Sequence, residues 1–247
     1  TIDELKIYRG SDYYITDKLF IRQPTLGEIA DYGEIAYFNM VHTLCSVGAD
    51  LKWQLDDIGI DYMKVSDFEL FYSVIARSFS KNETSILFGD IIDFSKMKVM
   101  YHKNIQENVL VQFFDDKELL IIDGYVYSLM INTIRKMHRI QRNNEIPGNE
   151  ATRRVFIEEA RENYENNKDK PQRPVLLPLI STMVNSAGFK RDDKTVFDMK
   201  LYAFMDSVMR IKKIKNADLL LQSGYSGFGI NIKKIDKNEI NWLGELE

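Results

Sequence analysis

The chain of 247 residues holds one cysteine, Cys45, so an intrachain disulfide is excluded. Its three histidines, His42, His102 and His138, come without a CxxC or HExxH pattern, and a tetrahedral metal site has too few ligands at the usual spacing. No apolar run reaches the roughly 18 residues that a membrane span needs. The opening Thr1-Ile-Asp-Glu-Leu-Lys6 has no basic region ahead of an apolar one, so no signal peptide is expected. Charge of either sign is not in surplus: 33 Lys and Arg face 37 Asp and Glu, for a net −4, and a general nucleic-acid binder would carry a basic excess. Internal repeats and low-complexity tracts are missing too. These absences leave a soluble, intracellular protein as the expectation. The apolar content of 45% and aromatic content of 12% suffice for a core, so disorder over most of the chain is not expected.

The patterning predicts an α+β fold, predominantly α-helical, with short N-terminal strands and a central β-hairpin. Lys6-Ile-Tyr8, Tyr13-Tyr-Ile15 and Leu19-Phe-Ile-Arg22 read as strands from their β-branched and aromatic content. Pro24 ends pairing, and Thr25 with Glu28 forms a capping box for one helix running to Gly48. A short helix from Asp50 to Ile58 stops at Gly59, and Ser66 with Glu69 opens another. Met97–His102 and Val109–Phe114 read as a hairpin, with Leu119–Ile122 a third strand or a helix entry. Asp123 caps a helix from Tyr125 to Ile140 through its carboxylate. A charged helix runs from Asn149 to about Asn167, and Lys168–Pro174 reads as a linker. Two apolar helices, Val175–Ala187 and Thr195–Lys213, a short helix Ala217–Leu221 and a turn Gly224–Gly229 follow. The expected division is 1–142 as an α+β domain, 143–174 as charged helix and linker, and 175–247 as a helical region.

Candidate sites compete with plainer roles. His42 and Cys45 lie three apart on one helix and could seed a zinc site or a Cys-His pair, but packing explains both. Asp56, Asp57 and Asp61 around Gly59 could hold a hard cation, yet lack the ligand order of a calcium loop. Arg135, Lys136, His138, Arg139 and Arg142 end one helix; they could contact nucleic acid, or simply complement the helix dipole. Gly224, Gly227 and Gly229 are in the wrong order and place for a dinucleotide loop. Tyr225 and Phe228 in that stretch, and Trp242 beyond it, are candidate partner anchors. Ten methionines suit either an adaptable surface or a core.

Three blocks carry a resemblance. Leu19-Phe-Ile-Arg-Gln-Pro-Thr-Leu-Gly-Glu28 is followed by Gly59-Ile-Asp-Tyr62 and Asp67-Phe-Glu-Leu-Phe71. The Tyr125–Arg142 helix ends in Arg135-Lys-Met-His-Arg139. Phe204–Ile211, Leu219–Gly227 and Asn241-Trp-Leu-Gly244 close the series. Together they resemble proteins from the tail-assembly region of Firmicute phages. The resemblance implies a helical, non-enzymatic morphogenesis factor without cofactor or metal. It would be a tail assembly chaperone in the host cytoplasm, or a component of the virion, binding a tail tube or tape-measure protein and free to form homo-oligomers. The alternative is a nucleic-acid-binding or host-interaction protein acting through Arg135, Lys136, Arg139 and Arg142.

Overall fold

Asp3 opens the first element of the computed structural model, which describes residues 2–114, 117–226 and 234–246. Its carboxylate accepts from the backbone N–H groups of Leu5 (3.1 Å) and Lys6 (3.2 Å), and Gly10 closes the turn at φ 80°. Glu4–Arg9 is therefore a helix, α1, where Lys6–Tyr8 was expected to be a strand. The caps outweigh the β propensity of Ile7 and Tyr8. The other two N-terminal strands form a small hairpin, β1 (Tyr13–Tyr14) with β2 (Phe20–Ile21).

The Thr25–Glu28 capping box is present: the Glu28 N–H donates to the Thr25 hydroxyl at 3.1 Å, and the Thr25 N–H to Glu28 Oε2 at 2.7 Å. The helix it opens is divided. Gly33, at φ 97° and ψ 109°, separates α2 (Leu26–Tyr32) from α3 (Glu34–Leu44), a break that an unbroken helical period had hidden. α4 (Lys52–Asp57) ends before Gly59 as expected. α5 (Asp67–Leu70) widens into a π-helical turn, Phe71–Ile75, which sends Phe71 and Ile75 into the core. At α5 only half of the expected Ser66–Glu69 box is present, the Glu69 N–H donating to the Ser66 hydroxyl at 3.1 Å, whereas α6 (Lys81–Phe88) starts at a full capping box, Ser80 with Glu83.

The central sheet has three strands, Leu119–Ile122 falling in the third, in the order β3 (Lys98–His102), β4 (Glu107–Phe114), β5 (Lys117–Ile122), all antiparallel. A register shift falls between Gln112 and Phe113. There the Gln112 side chain accepts from the Asp93 N–H (2.9 Å) and donates to the Ile91 carbonyl (2.7 Å). α7 (Gly124–His138) follows, with Asp123 accepting from Val126 N–H at 2.8 Å.

α8 (Glu150–Asn167) is the charged helix. It lies on α4 through Arg161 and Asp57 (2.6 Å) and through Trp53 and Tyr164, whose rings are 4.9 Å apart. α9 (Leu176–Val184) and α10 (Leu201–Tyr225) come next. α10 is continuous over 25 residues, so the short helix and the beginning of the turn expected at Gly224 and Tyr225 belong to it. α11 (Lys237–Ile240) ends the series.

The architecture is α+β, mostly helical with two small antiparallel sheets. One apolar cluster takes buried residues from Ile7 to Phe204, including Ile157 of α8 and Leu176, Ile180 and Met183 of α9. Phe71 links Phe94 (5.7 Å) and Tyr127 (5.0 Å) at its centre. The start of α10 is stitched to the start of α2: Leu26 N–H donates to Met199 C=O at 2.9 Å, and Leu201 N–H to Pro24 C=O at 3.4 Å. Among the described residues no helix is long and apolar enough to cross a membrane.

Candidate functional site

The site is a cleft of about 910 Å³ between α3, the end of α7, the strap before α9 and the start of α10. The strap is pinned over α3. Glu34, in the first turn of α3, accepts from the backbone N–H groups of Val175 and Leu176 (2.5 and 2.7 Å), so it caps α9 from a distance of 141 residues in sequence. The Asn39 amide donates to Gln172 at 3.1 Å. Ile35, Phe38, Val175, Leu176, Leu201 and Met205 form the apolar walls. Val175 remains 59% exposed and Ile35 39%.

His42, Cys45 and His138, which sequence spacing could join only in part, line this same cleft. His138 is fully committed. Nδ1 donates to the Ile134 carbonyl at 2.7 Å, and Nε2 accepts from the Tyr37 hydroxyl at 2.6 Å. Desolvation pushes its pKa down to about 4, with a smaller push from His42 and a backbone hydrogen bond opposing. It is neutral at pH 7. Burial pushes the Cys45 thiol up to about 12, against the pull of Arg135, so it is protonated and a poor nucleophile. Asp50 accepts from Val47 N–H (2.9 Å) and from the Asn143 amide (2.8 Å). Of the chemistry-bearing groups here, His138, Glu34 and Asp50 hold the fold together, and His42 is exposed.

The four cations at the end of α7 each have an internal partner. Arg135 is buried and donates to the Cys45 carbonyl at 2.7 Å. Lys136 pairs with Glu4 at 2.7 Å, and Arg139 with Asp206 at 3.2 Å while lying 5.2 Å over the Tyr202 ring. Arg142 grips Asp67 with two nitrogens, at 3.0 and 3.1 Å. They tie α7 to α1, α5 and α10.

Of the acidic group near Gly59, Asp56 is exposed and the other two are engaged. Asp57 pairs with Arg161, and Asp61 accepts from Met63 N–H and pairs with Lys64 and Arg153. Among the described residues no group of three or more His, Cys, Asp or Glu could hold a metal ion.

Tyr225 ends α10 and is 81% exposed. Trp242 is 46% exposed, and its carbonyl accepts from Arg210, some 22 Å down the helix from Tyr225 at 1.5 Å per residue. Phe228, Gly227 and Gly229 lie outside the described residues. Met40, Met97, Met130, Met137 and Met183 are core residues, while Met63 and Met100 are each 42% exposed.

The strap and the cleft escaped sequence reading. Glu34 and Asn39 carry no local sign of partners more than 130 residues away. Compared with protein-family models, with curated proteins and with solved structures, the chain matches none.

Proposed function

We propose that this chain is a non-enzymatic phage morphogenesis factor, a tail assembly chaperone that binds a tail structural protein in the host cytoplasm. The observation that carries the reading is the character of the cleft. Its walls are apolar and partly open, while His138 and the carboxylates of Glu34 and Asp50 are spent on internal bonds and the Cys45 thiol is buried. Such a surface suits capture of an apolar segment of another protein better than it suits proton transfer or nucleophilic attack. The four cations of the alternative, Arg135, Lys136, Arg139 and Arg142, already have partners inside the molecule, which favours protein binding over nucleic-acid binding.

The test is a tagged pull-down from phage-infected cells with mass spectrometry. The reading expects a tail-tube or tape-measure protein in near-equal amount, lost with Val175→Asp and Ile35→Lys, two substitutions at exposed wall positions. Recovery of host protein or nucleic acid instead, or recovery untouched by both substitutions, overturns it.

A further inference from the structure

The distal half of α10 carries a stripe that a later segment of the chain covers. Arg210, Lys213 and Ala217 follow at i, i+3 and i+7 and share one helix face. α11 packs along this helix. Arg210 Nη1 donates to the carbonyls of Trp242 (2.7 Å) and Gly244 (2.8 Å), and Lys213 Nζ to the carbonyl of Glu245. The covering residues, 234–246, are all exposed or partly exposed, and none enters the core. Among the described residues, two cations on three backbone carbonyls hold this segment, whose own side chains stay exposed or half-buried over the buried Ala217.

Among the described residues these cations make no ion pair. Among the described residues, the ion pairs reaching α10 and the residue before it are Arg139–Asp206 and Lys200–Glu28. Arg210, Lys212, Lys213 and Lys215 are in none of them. A carboxylate on a guanidinium or ammonium makes a shorter hydrogen bond, roughly twice as strong as a neutral one. Carbonyls are thus replaceable partners here.

We propose that this face of α10 is a docking site for an acidic, extended segment of a partner protein, and that residues 234–246 occupy it as an internal stand-in. Partner carboxylates take the places of the Trp242, Gly244 and Glu245 carbonyls on Arg210 and Lys213, and the segment leaves with Trp242. The proposal rests on the assembly-factor reading for the partner being a protein. Its test reads the segment alone, so it can fail while the pull-down succeeds, and the reverse.

The chain has two tryptophans, and Trp53→Phe leaves Trp242 as the reporter in the full-length protein. Hexaglutamate at low salt is expected to roughly double acrylamide quenching of Trp242, as a 46% exposed ring becomes a free one on local opening. Salt at about 0.5 M should abolish the effect by screening, and hexalysine should have none. The Arg210→Ala, Lys213→Ala variant should start in the open state and ignore the peptide. Quenching that hexaglutamate leaves unchanged overturns the proposal, as does a closed Trp242 in the double variant. Release by an oligonucleotide alone overturns the choice of an acidic peptide. Should the double variant fail to fold, the hexaglutamate response of the otherwise unaltered chain decides by itself.

Discussion

Acid should loosen this protein through one side chain before its carboxylates respond. His138 is held neutral, with Tyr37 donating to Nε2 and Ile134 accepting from Nδ1. Its pKa is pushed down to about 4 in the fold, against about 6.5 when unfolded. Between those values the unfolded chain binds a proton that the folded chain refuses. Stability therefore falls as pH drops through this window. A gap of about 2.5 units corresponds to roughly 3 kcal/mol, fully lost at pH 4. His138 lines the cleft and is half-buried, so water trims the penalty and about 2 kcal/mol is the expected loss. The carboxylates held below their ordinary range, such as Glu28 and Asp93, act lower: their contribution is present above about 4.5 and disappears as pH falls through their folded values. Urea unfolding at pH 7.5, 6.5, 5.5 and 4.5 separates the two. The unaltered protein should lose stability steadily over that range, and His138→Gln should be weaker at pH 7.5 but nearly flat. Tyr37→Phe removes a donor to the neutral ring, so it should cost about 1–3 kcal/mol at pH 7.5 and make the slope shallower. An unchanged slope in His138→Gln would refute the reasoning.

Three further substitutions probe the frame. Gly48→Ala would place a Cβ 2.4 Å from the Tyr62 carbonyl oxygen, backbone that cannot swing aside, and should cost about 1–3 kcal/mol in chemical denaturation. Gln112→Leu would leave the buried Asp93 N–H without its acceptor; a loss of about 1–3 kcal/mol is expected, and faster amide exchange at Asp93 would locate it. Thr25→Ala removes the hydroxyl of the capping box at α2 and should cost about 1 kcal/mol, read as a lower melting temperature with unchanged helical content.

Sequence reading succeeded where the cause was local. The Thr25–Glu28 box, the Asp123 cap and the start of α8 at Asn149 each depend on groups within three residues, and all three stand as expected. α1 and α6 have equally local causes, Asp3 with Gly10 and Ser80 with Glu83, although the β-branched and aromatic content of Lys6–Tyr8 points to a strand. Gly33 breaks the helix through its backbone at φ 97°, which periodicity does not show, and α10 runs unbroken through Gly224. The cleft was not legible at all. It needs Glu34 under Leu176, and His138 against Tyr37, pairings set by the closed core rather than by spacing.

The stitching of α2 to the residues around Lys200 also fixes an order of events in the cell. Ile7 is fully buried, Glu4 rests on Lys136 and Tyr202, and Leu26 bonds to Met199. On a ribosome adding about 5–20 residues per second, the earliest helix waits roughly 10–40 seconds for those partners to emerge. During that interval Ile7 lacks the α10 surface on which α1 packs, and the nascent chain itself is the species most exposed to aggregation.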